Sequence, residues 1–268
     1  MSVAPSSSEI FQRAVDEGER RLDQSLLELV STSFIAGFTI VFGLAALGIA
    51  HALVEPELGR VARIAGALAF AVGFALLIAG RTELFTENFF DPIATAFARR
   101  ERRVLLRILR LWGITLAFNL VGGVLLALVV AVEGVLPPGA GEALAGVAED
   151  LAMRGVWAGL ASAVVGGGLV ALLSFLLQAV DSVGSRIALA FGVGFLLALG
   201  PFDHVIVTVL HLVLGLLLGA SVGAGAVATV FAVATAGNLL GGVGLVTLSH
   251  VAQAEGADEL VDDGAPED

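Results

Sequence analysis

The stretch GRTELFTENFFDP, residues 80–92, interrupts an otherwise uncharged apolar run of the chain. The segment before it, IAGALAFAVGFALLIAG at residues 64–80, contains no charged side chain. The interruption then carries Arg81, Glu83 and Glu87 within a few positions, after which a helical pattern resumes. Charge inside an apolar segment is costly in lipid and usually serves a function. The fold and the function of the chain therefore depend on how this interruption is accommodated.

The composition is typical of a membrane protein with several spans. Of the 268 residues, 57% are hydrophobic and 15% are charged, whereas soluble domains carry about 25% charged residues. Several uncharged runs approach the ~20 residues that a helix needs to cross a ~30 Å hydrocarbon core. Residues 1–30 are polar and charged, so we expect no cleavable signal peptide. Cysteine is absent, which excludes disulfides and thiolate metal sites.

Six apolar segments predict an all-α polytopic membrane protein. They lie at residues 33–50, 64–80, 111–132, 153–180, 187–218 and 227–249. The second is interrupted by the stretch quoted above, and the fifth is interrupted by PFDH at residues 201–204. We therefore predict a polar N-terminal segment at 1–32, a six-span transmembrane domain at 33–250 and an acidic, disordered tail at 251–268.

The distribution of arginine predicts the orientation of the chain in the cell membrane. With six spans, ten arginines fall on the side that holds both termini, namely Arg13, Arg20, Arg21, Arg99, Arg100, Arg102, Arg103, Arg107, Arg110 and Arg186. The opposite side holds only Arg60, Arg63 and Arg154. Cytoplasmic loops are enriched in positive charge, so both the N-terminal segment and the acidic tail are predicted to be cytoplasmic.

Two pairs of similar segments indicate an internal duplication. NLVGGVLLAL begins at Asn119 and NLLGGVGLVTL begins at Asn238, 119 positions later. The two interruptions, GRTELFT from Gly80 and GPFDHVI from Gly200, are 120 positions apart. The shared spacing predicts two three-span repeats, at about 33–133 and 152–250.

An odd number of spans in each repeat predicts that the second repeat is inverted and that the two broken helices occupy matching positions. Backbone groups released by a break cannot face lipid unsatisfied, so the breaks are expected to be buried together or to line an aqueous path. The alternative is a pair of ordinary kinks whose polar groups are satisfied locally.

Three of these segments resemble the formate/nitrite transporter family: ELFTEN around Thr86, the broken fifth span with PFDH, and GNLLGG at residues 237–242. GRTELFTEN and the ending LSHVAQ are most similar to the YfdC-like branch of that family. The resemblance implies an aquaporin-like protomer of six spans, assembled as a homopentamer with one pore per protomer. It also implies passage of small monovalent anions or their conjugate weak acids, such as formate, nitrite or hydrosulfide.

The resemblance assigns roles to individual residues of the chain. Thr86 corresponds to the threonine of the family's pore loop, and His204 corresponds to its central pore histidine. Leu84, Phe85 and Phe202 fall where apolar residues narrow the path. An anion that enters a medium of low dielectric loses its hydration. A histidine with an ordinary pKa of ~6.5 can donate hydrogen bonds to it or protonate it.

The chain departs from the family pattern at four places. It has no lysine to draw anions into the vestibule, and Arg154 is the nearest cation to that position. Ala163 stands where the family has an asparagine, and Glu87 follows the loop threonine in place of a small residue. Asp203, rather than glutamate, precedes the histidine. These departures concern the permeant species more than the fold.

The charged loop is interpreted as a neutralising network in which Arg81 pairs with Glu83 or Glu87, with Asn88 beside them. Separations of two to six positions allow such contacts within one compact loop. The alternative is that one of these side chains faces the pore.

Three further residues in the predicted spans receive roles. Asn119 and Asn238 are predicted to brace the breaks from neighbouring spans. His211 follows His204 by seven positions and therefore shares its helix face. We interpret His211 as a satisfied core histidine, with a second relay in the pore as the alternative.

Other functions remain open at the level of sequence. A neutral-solute pore of the aquaporin type would carry two Asn-Pro-Ala motifs, and neither break contains one. A non-conducting scaffold or sensor would use the charged termini to bind partners. An intramembrane enzyme is disfavoured because the chain has no cysteine and no HExxH pattern. We expect no catalytic residues, no metal, no cofactor and no nucleic-acid partner; the expected partners are the permeant, the lipid bilayer and other copies of the chain.

Overall fold

The computed structural model describes residues 5–200 and 202–262, and every regular element in these residues is helical. The first helix, α1, spans Ser7–Leu22 within the predicted N-terminal segment. Ser6 caps it, because its hydroxyl accepts the Glu9 N–H while the Glu9 carboxylate accepts the Ser6 N–H. The helix buries an apolar face that includes Ala14 and Val15. The N-terminal segment is therefore a packed part of the fold.

Ten further helices follow in chain order, joined by three short 3-10 or π segments. They are α2 (Leu26–Leu58), a 3-10 turn (Gly59–Val61), α3 (Ala62–Ala79), a 3-10 turn (Phe85–Phe89), α4 (Asp91–Arg99), α5 (Arg102–Val130), α6 (Ala140–Met153), α7 (Val156–Gln178), α8 (Val183–Leu199), α9 (Val205–Leu217), α10 (Ala224–Leu239), a π segment (Leu240–Thr247) and α11 (Leu248–Asp262).

Four helical stretches in the described residues are long and apolar enough to cross a membrane. They are Leu26–Ala79, Arg102–Val130, Val156–Gln178 and Ala224–Ala254, and α8 and α9 are shorter apolar helices. Large apolar side chains on the outside of these helices are exposed, as with Trp157 at 82%. Such a surface needs lipid or a neighbouring subunit to cover it. The helical, apolar architecture predicted from the sequence is confirmed, whereas the count of six spans stays a prediction.

Both predicted interruptions are present. Residues 80–84 separate α3 from the following 3-10 turn, and α8 ends at Leu199 before α9 begins at Val205. The two broken segments approach each other in the centre of the bundle, where α3 packs against α8. The end of α3 at residues 79–81 is exposed, whereas residues 82–90 and 203–206, which follow the two breaks, are buried, so that other side chains can satisfy their backbone groups.

Glycine permits the close approach of the helices that flank each break. A Cβ atom at Gly37 of α2 would lie 1.7 Å from the Asn119 carbonyl oxygen of α5. A Cβ atom at Gly167 of α7 would lie 2.4 Å from the Asn238 backbone of α10. Only a residue without a Cβ fits at either crossing. The two crossings hold the helices that carry these asparagines against the breaks.

Three elements differ from the expectations. Helix α2 begins at Leu26, earlier than the predicted start at 33, and α6 fills a stretch with no predicted element. The tail was expected to be disordered from residue 251, yet α11 continues to Asp262. It does so because Val251 and Ala254 are buried and α11 packs against α1. Residues 263–268 of the predicted tail lie outside the described residues.

Candidate pore site

The two predicted pore residues meet at the centre of the protein. Thr86, in the 3-10 turn of the first break, hydrogen-bonds through Oγ1 to Nε2 of His204 in the second break. Both residues are fully buried. His204 is also the N-cap of α9, because its Nδ1 accepts the Val207 N–H at 3.4 Å. A neutral imidazole satisfies both contacts, with Nδ1 accepting and Nε2–H donating to the threonine hydroxyl.

The two asparagines make equivalent contacts with the two breaks. Oδ1 of Asn119 accepts the Phe85 N–H at 2.9 Å, and its amide donates to the carbonyls of Ser33 and Glu83. In the same way, Oδ1 of Asn238 accepts a backbone N–H at 2.8 Å, and its amide donates to two backbone carbonyls; the three partners are Val205, Ala163 and Asp203. Each asparagine thus joins the backbone of a break to a neighbouring helix.

Removing one of these amides should destabilise the protein measurably. Asn119→Leu keeps a similar size but leaves the buried Phe85 N–H and the Glu83 carbonyl without their side-chain partner, which we expect to cost about 2–3 kcal/mol. The measurement is the thermal unfolding midpoint of the purified protein in detergent. Gln12→Leu is the matched control, because the Gln12 amide is exposed and bonds only to Asp16. Equal midpoints for the two variants would contradict the bracing role.

A buried cluster of charge surrounds the first break on the side of α1. Its cation is Arg21 of α1, which is only 6% exposed. The guanidinium bonds to Glu87 at 2.8 Å and to the Asn88 side-chain oxygen at 3.1 Å. It also lies 3.5 Å from a carboxylate oxygen of Glu83 and 3.5 Å from one of Asp91. One arginine from the N-terminal helix thus contacts three buried carboxylates of the first break and of α4.

This cluster corrects the predicted network, in which Arg81 was the cation. Arg81 is exposed, and no ion pair in the described part of the chain includes it. Its backbone has a φ of 52°, the left-handed conformation, directly after the end of α3. The loop carboxylates Glu83 and Glu87 face α1 instead. Arg21 contacts both of them, and Arg20 also lies 3.3 Å from Glu83. Glu83, Glu87 and Asn88 do belong to one network, as the sequence suggested.

The charges of α1 stabilise one another outside the spanning helices. Burial disfavours the charged form of Arg21, but the neighbouring carboxylates, Glu83 and Glu87 foremost, raise the pKa of Arg21 well above its usual value. Burial also acts to raise the pKa of Glu17, yet the hydrogen bond from Arg20 and the charges of both arginines lower it to about 2. Arg21 and Glu17 therefore remain ionised at neutral pH. The ion pairs of Arg21 with Glu83 and Glu87 hold α1 against the first break.

Arg81 faces a cavity of about 430 Å³ on the α1 side of the break, here called the α1-side vestibule. Its polar lining consists of Arg13, Glu17, Arg81, Gln178, Asp181 and Arg186. Arg13 is paired with Asp181 at 2.8 Å. Arg81 is therefore the loop residue whose position fits the alternative interpretation, in which one charged side chain of the loop faces the pore.

Arg154 lies on the opposite side of the bundle from α1. It was the nearest cation in sequence to the place of the family's vestibule lysine, but its guanidinium bonds to Asp203 at 2.6 Å and to Ser162 at 3.0 Å. Its charge is therefore offset by the acid that precedes the central histidine. Ser162 in turn accepts the Asp203 N–H at 2.9 Å, which fixes the second break.

The predicted constriction residues lie in the two breaks, close in the chain to Thr86 and His204. Leu84 and Phe85 are buried, and Phe85 packs edge-on against Trp112 with ring centroids 6.3 Å apart. Phe202 is half-buried and lines a cavity beyond the second break. Apolar rings in such positions exclude hydrated ions.

The sequence reasoning missed Arg21 and Asp91, which complete the charged cluster. Asp91 is fully buried and accepts hydrogen bonds from Ser174 and Gln178. One signal was available: three acids of a predicted span, at 83, 87 and 91, recur at intervals of four and need a cation. The adjacent residues Arg20 and Arg21 could have supplied that cation. The sequence, however, does not give the distance between these arginines and the three acids.

Comparison with known proteins gives a consistent result. A model of the formate/nitrite transporter family matches residues 8–252. Inner membrane protein YfdC of Escherichia coli (strain K12) is 24% identical over 248 residues, which cover 91% of this chain and 77% of that protein. Two solved structures share the fold, each aligned over 91% of this chain and 98% of its own. They are an FNT family ion channel, at 17% identity and a TM-score of 0.80, and a pentameric formate channel with formate bound, at 16% and 0.68. The resemblance seen in the sequence is confirmed, and the chain belongs to the formate/nitrite transporter family.

Proposed function

We propose that the protein is a homopentameric channel for small monovalent anions or their conjugate weak acids, of the class of formate, nitrite and hydrosulfide. The observation that carries the proposal is the hydrogen bond between Thr86 and His204 where the two broken helices meet. A polar pair at the centre of an apolar bundle gives a small solute a hydrogen-bonding partner at the point of greatest desolvation. The similarity to a solved pentameric formate channel supports both the assembly and the substrate class.

In this proposal the chain has six spans, arranged as two inverted three-span repeats, with both termini in the cytoplasm. The equivalent contacts of Asn119 and Asn238 with the two breaks support the repeat. α3 with α4 forms the second span, and α8 with α9 forms the fifth.

The path of the permeant follows from the positions of charge and apolar side chains. An anion enters the α1-side vestibule, where Arg81 and Arg186 attract it. It sheds water at the apolar side chains of Leu84 and Phe85, and Phe202 narrows the path again beyond the second break. At the centre it meets Thr86, His204 and the N-terminal end of α9, whose dipole favours negative charge.

The proposed orientation predicts which introduced cysteines are accessible from outside the cell. The chain has no native cysteine, so single cysteines report their own positions. Leu105→Cys lies at the exposed start of α5, in the arginine-rich segment, and should not react with an impermeant thiol reagent added to intact cells. Glu57→Cys is the matched site. Glu57 is exposed near the C-terminal end of α2, which faces the outside of the cell in the proposed orientation, so this cysteine should react. The reverse pattern would contradict cytoplasmic termini.

Flux through the purified protein tests the proposed function directly. We expect liposomes that contain the assembled protein to take up formate and nitrite much faster than protein-free liposomes. The control is a neutral solute of similar size, formamide, which should show a smaller increase. Assembled protein that passes neither anion would contradict the channel proposal and favour the scaffold, whereas equal passage of formamide would favour a neutral-solute pore.

A further inference from the structure

His211 is a core histidine that is satisfied on one side only, since its ring has a hydrogen bond with the Leu144 backbone but its Nε2 atom has no partner among the described residues. It lies on α9, two turns beyond His204, and is 4% exposed. A buried polar atom without a partner costs about 1–3 kcal/mol. Such an atom usually indicates a water or a ligand at the site.

The side chain of His211 lines a cavity beyond the central pair, on the side away from α1. The cavity has a volume of about 60 Å³, and most of its lining is apolar, including Leu44, Phe70 and Phe202. One water needs about 10–15 Å³ of such volume. The cavity therefore has room for water or for one solute of a few heavy atoms.

The small cavity shares part of its lining with a larger cavity. A second cavity of about 280 Å³ shares Leu47, Val147, Leu151 and Ala198 with it. The charged groups of that larger cavity are Arg63, Asp150 and Arg154. The small cavity therefore lies between the second break, whose Phe202 and Asp203 line it, and the larger cavity.

The other polar side chains of the small cavity already have partners within the protein. Asp203 is paired with Arg154 at 2.6 Å. The Thr208 hydroxyl accepts the His204 N–H at 3.2 Å and lies 3.5 Å from Asp203. Nε2 of His211 is therefore the polar group of this cavity that a solute can bind without breaking an existing bond.

We propose that His211 and this cavity form a second binding site for the permeant, one step beyond the Thr86–His204 pair. The inference rests on the proposed channel function and extends it. The ligand is a small oxygen acid or its anion that has lost most of its water, because the walls are apolar and Nε2 supplies one hydrogen bond. The ring donates its one N–H to the Leu144 backbone, so in the neutral imidazole Nε2 is an acceptor for the acid, and the site holds the anion only together with a proton on Nε2. Two successive sites of modest affinity favour passage, since neither holds the solute too tightly.

Nitrogen NMR on the assembled protein in lipid bilayers tests binding without measuring flux. The protein is labelled with nitrogen-15 histidine, and the His211 resonances are assigned by their loss in His211→Gln. We expect the Nε2 resonance of His211 to shift progressively as sodium formate is added. His250, whose Nδ1 contacts the Val246 carbonyl, serves as the internal control and should not move. An Nε2 resonance unchanged at saturating formate would show that the cavity holds only water, and would overturn the proposal.

Flux measurements provide a second readout. His211→Leu removes the nitrogen that binds the solute and places an apolar side chain of similar size in the apolar cavity. We expect the KM for formate flux to rise about tenfold. His211→Gln places an amide near the former Nε2 position and should restore most of the affinity. A structural role alone would instead lower the amount of assembled protein and leave KM unchanged. If His211→Leu does not assemble, the NMR result on the unmodified protein decides.

The two proposals fail in distinguishable ways. A shift of the His211 resonance with no anion flux would overturn the channel function while leaving a binding site. Flux with no shift would retain the channel and remove the second site.

Discussion

Arg21→Ala is expected to destabilise the protein by about 3–5 kcal/mol, the largest effect of any single substitution considered. Removing one partner of a buried ion pair leaves uncompensated charge in a medium of low dielectric. Here Glu83, Glu87 and Asp91 all lie within 3.5 Å of the Arg21 guanidinium. Glu83 would keep its contact with Arg20 at 3.3 Å, whereas Glu87 and Asp91 would lose the cation beside them. The measurements are the thermal unfolding midpoint in detergent and the fraction of protein that elutes as the assembled oligomer.

Arg81→Ala is the matched control for this experiment. It removes the same charge from the same region, but the side chain is exposed and forms no ion pair with the described residues. A surface substitution of this kind changes stability by about 0.5 kcal/mol or less. If Arg81→Ala were as destabilising as Arg21→Ala, the assignment of the cation would be wrong.

A double variant separates charge from packing. Arg21→Ala combined with Glu87→Gln removes a cation and an anion together and should recover part of the lost stability. Arg21→Lys should recover less than full stability, because an ammonium group cannot reproduce the fork that bonds Glu87 and Asn88 at once. No recovery in either variant would indicate that the arginine acts through its packing rather than its charge.

His204→Asn is expected to lower formate and nitrite flux by roughly tenfold to a hundredfold. The Asn oxygen can take the place of Nδ1 and cap α9 through the Val207 N–H, because asparagine is a favourable N-cap residue. The substitution therefore removes the Nε2 contact with Thr86 while preserving the local fold. The measurement is uptake into liposomes by variants whose oligomeric assembly matches that of the unmodified protein.

Thr86→Val tests the other half of the pair. It keeps the shape of the side chain and removes the hydroxyl. We therefore expect the flux to fall, but by less than in His204→Asn. If the two residues act as one unit, the double variant will lose no more than His204→Asn alone. Unmodified flux in His204→Asn would remove the histidine from the mechanism and leave Thr86 and the helix termini as the polar groups of the path.

The sequence by itself determined the class of the protein, its interrupted helices and its family. Long uncharged runs predict membrane helices because the hydrocarbon core requires them. The charges at residues 81–87 and the PFDH stretch marked the two breaks, since neither pattern continues an apolar span. The motifs around Thr86 and His204 carried the family resemblance. All of these are local properties of the chain, which can be read without knowing what lies beside each segment.

Only the tertiary structure decided which groups satisfy the polar atoms of the breaks. Arg81 is close to Glu87 in sequence, yet the cation is Arg21, 66 positions away from that glutamate. Similarly, spacing placed His211 on the same helix face as His204, but only the cavity showed that its Nε2 has no partner. Which charges pair inside a membrane protein depends on which side chains are buried and on which neighbouring helix they face. Here the packing of α1 against α4 sets both.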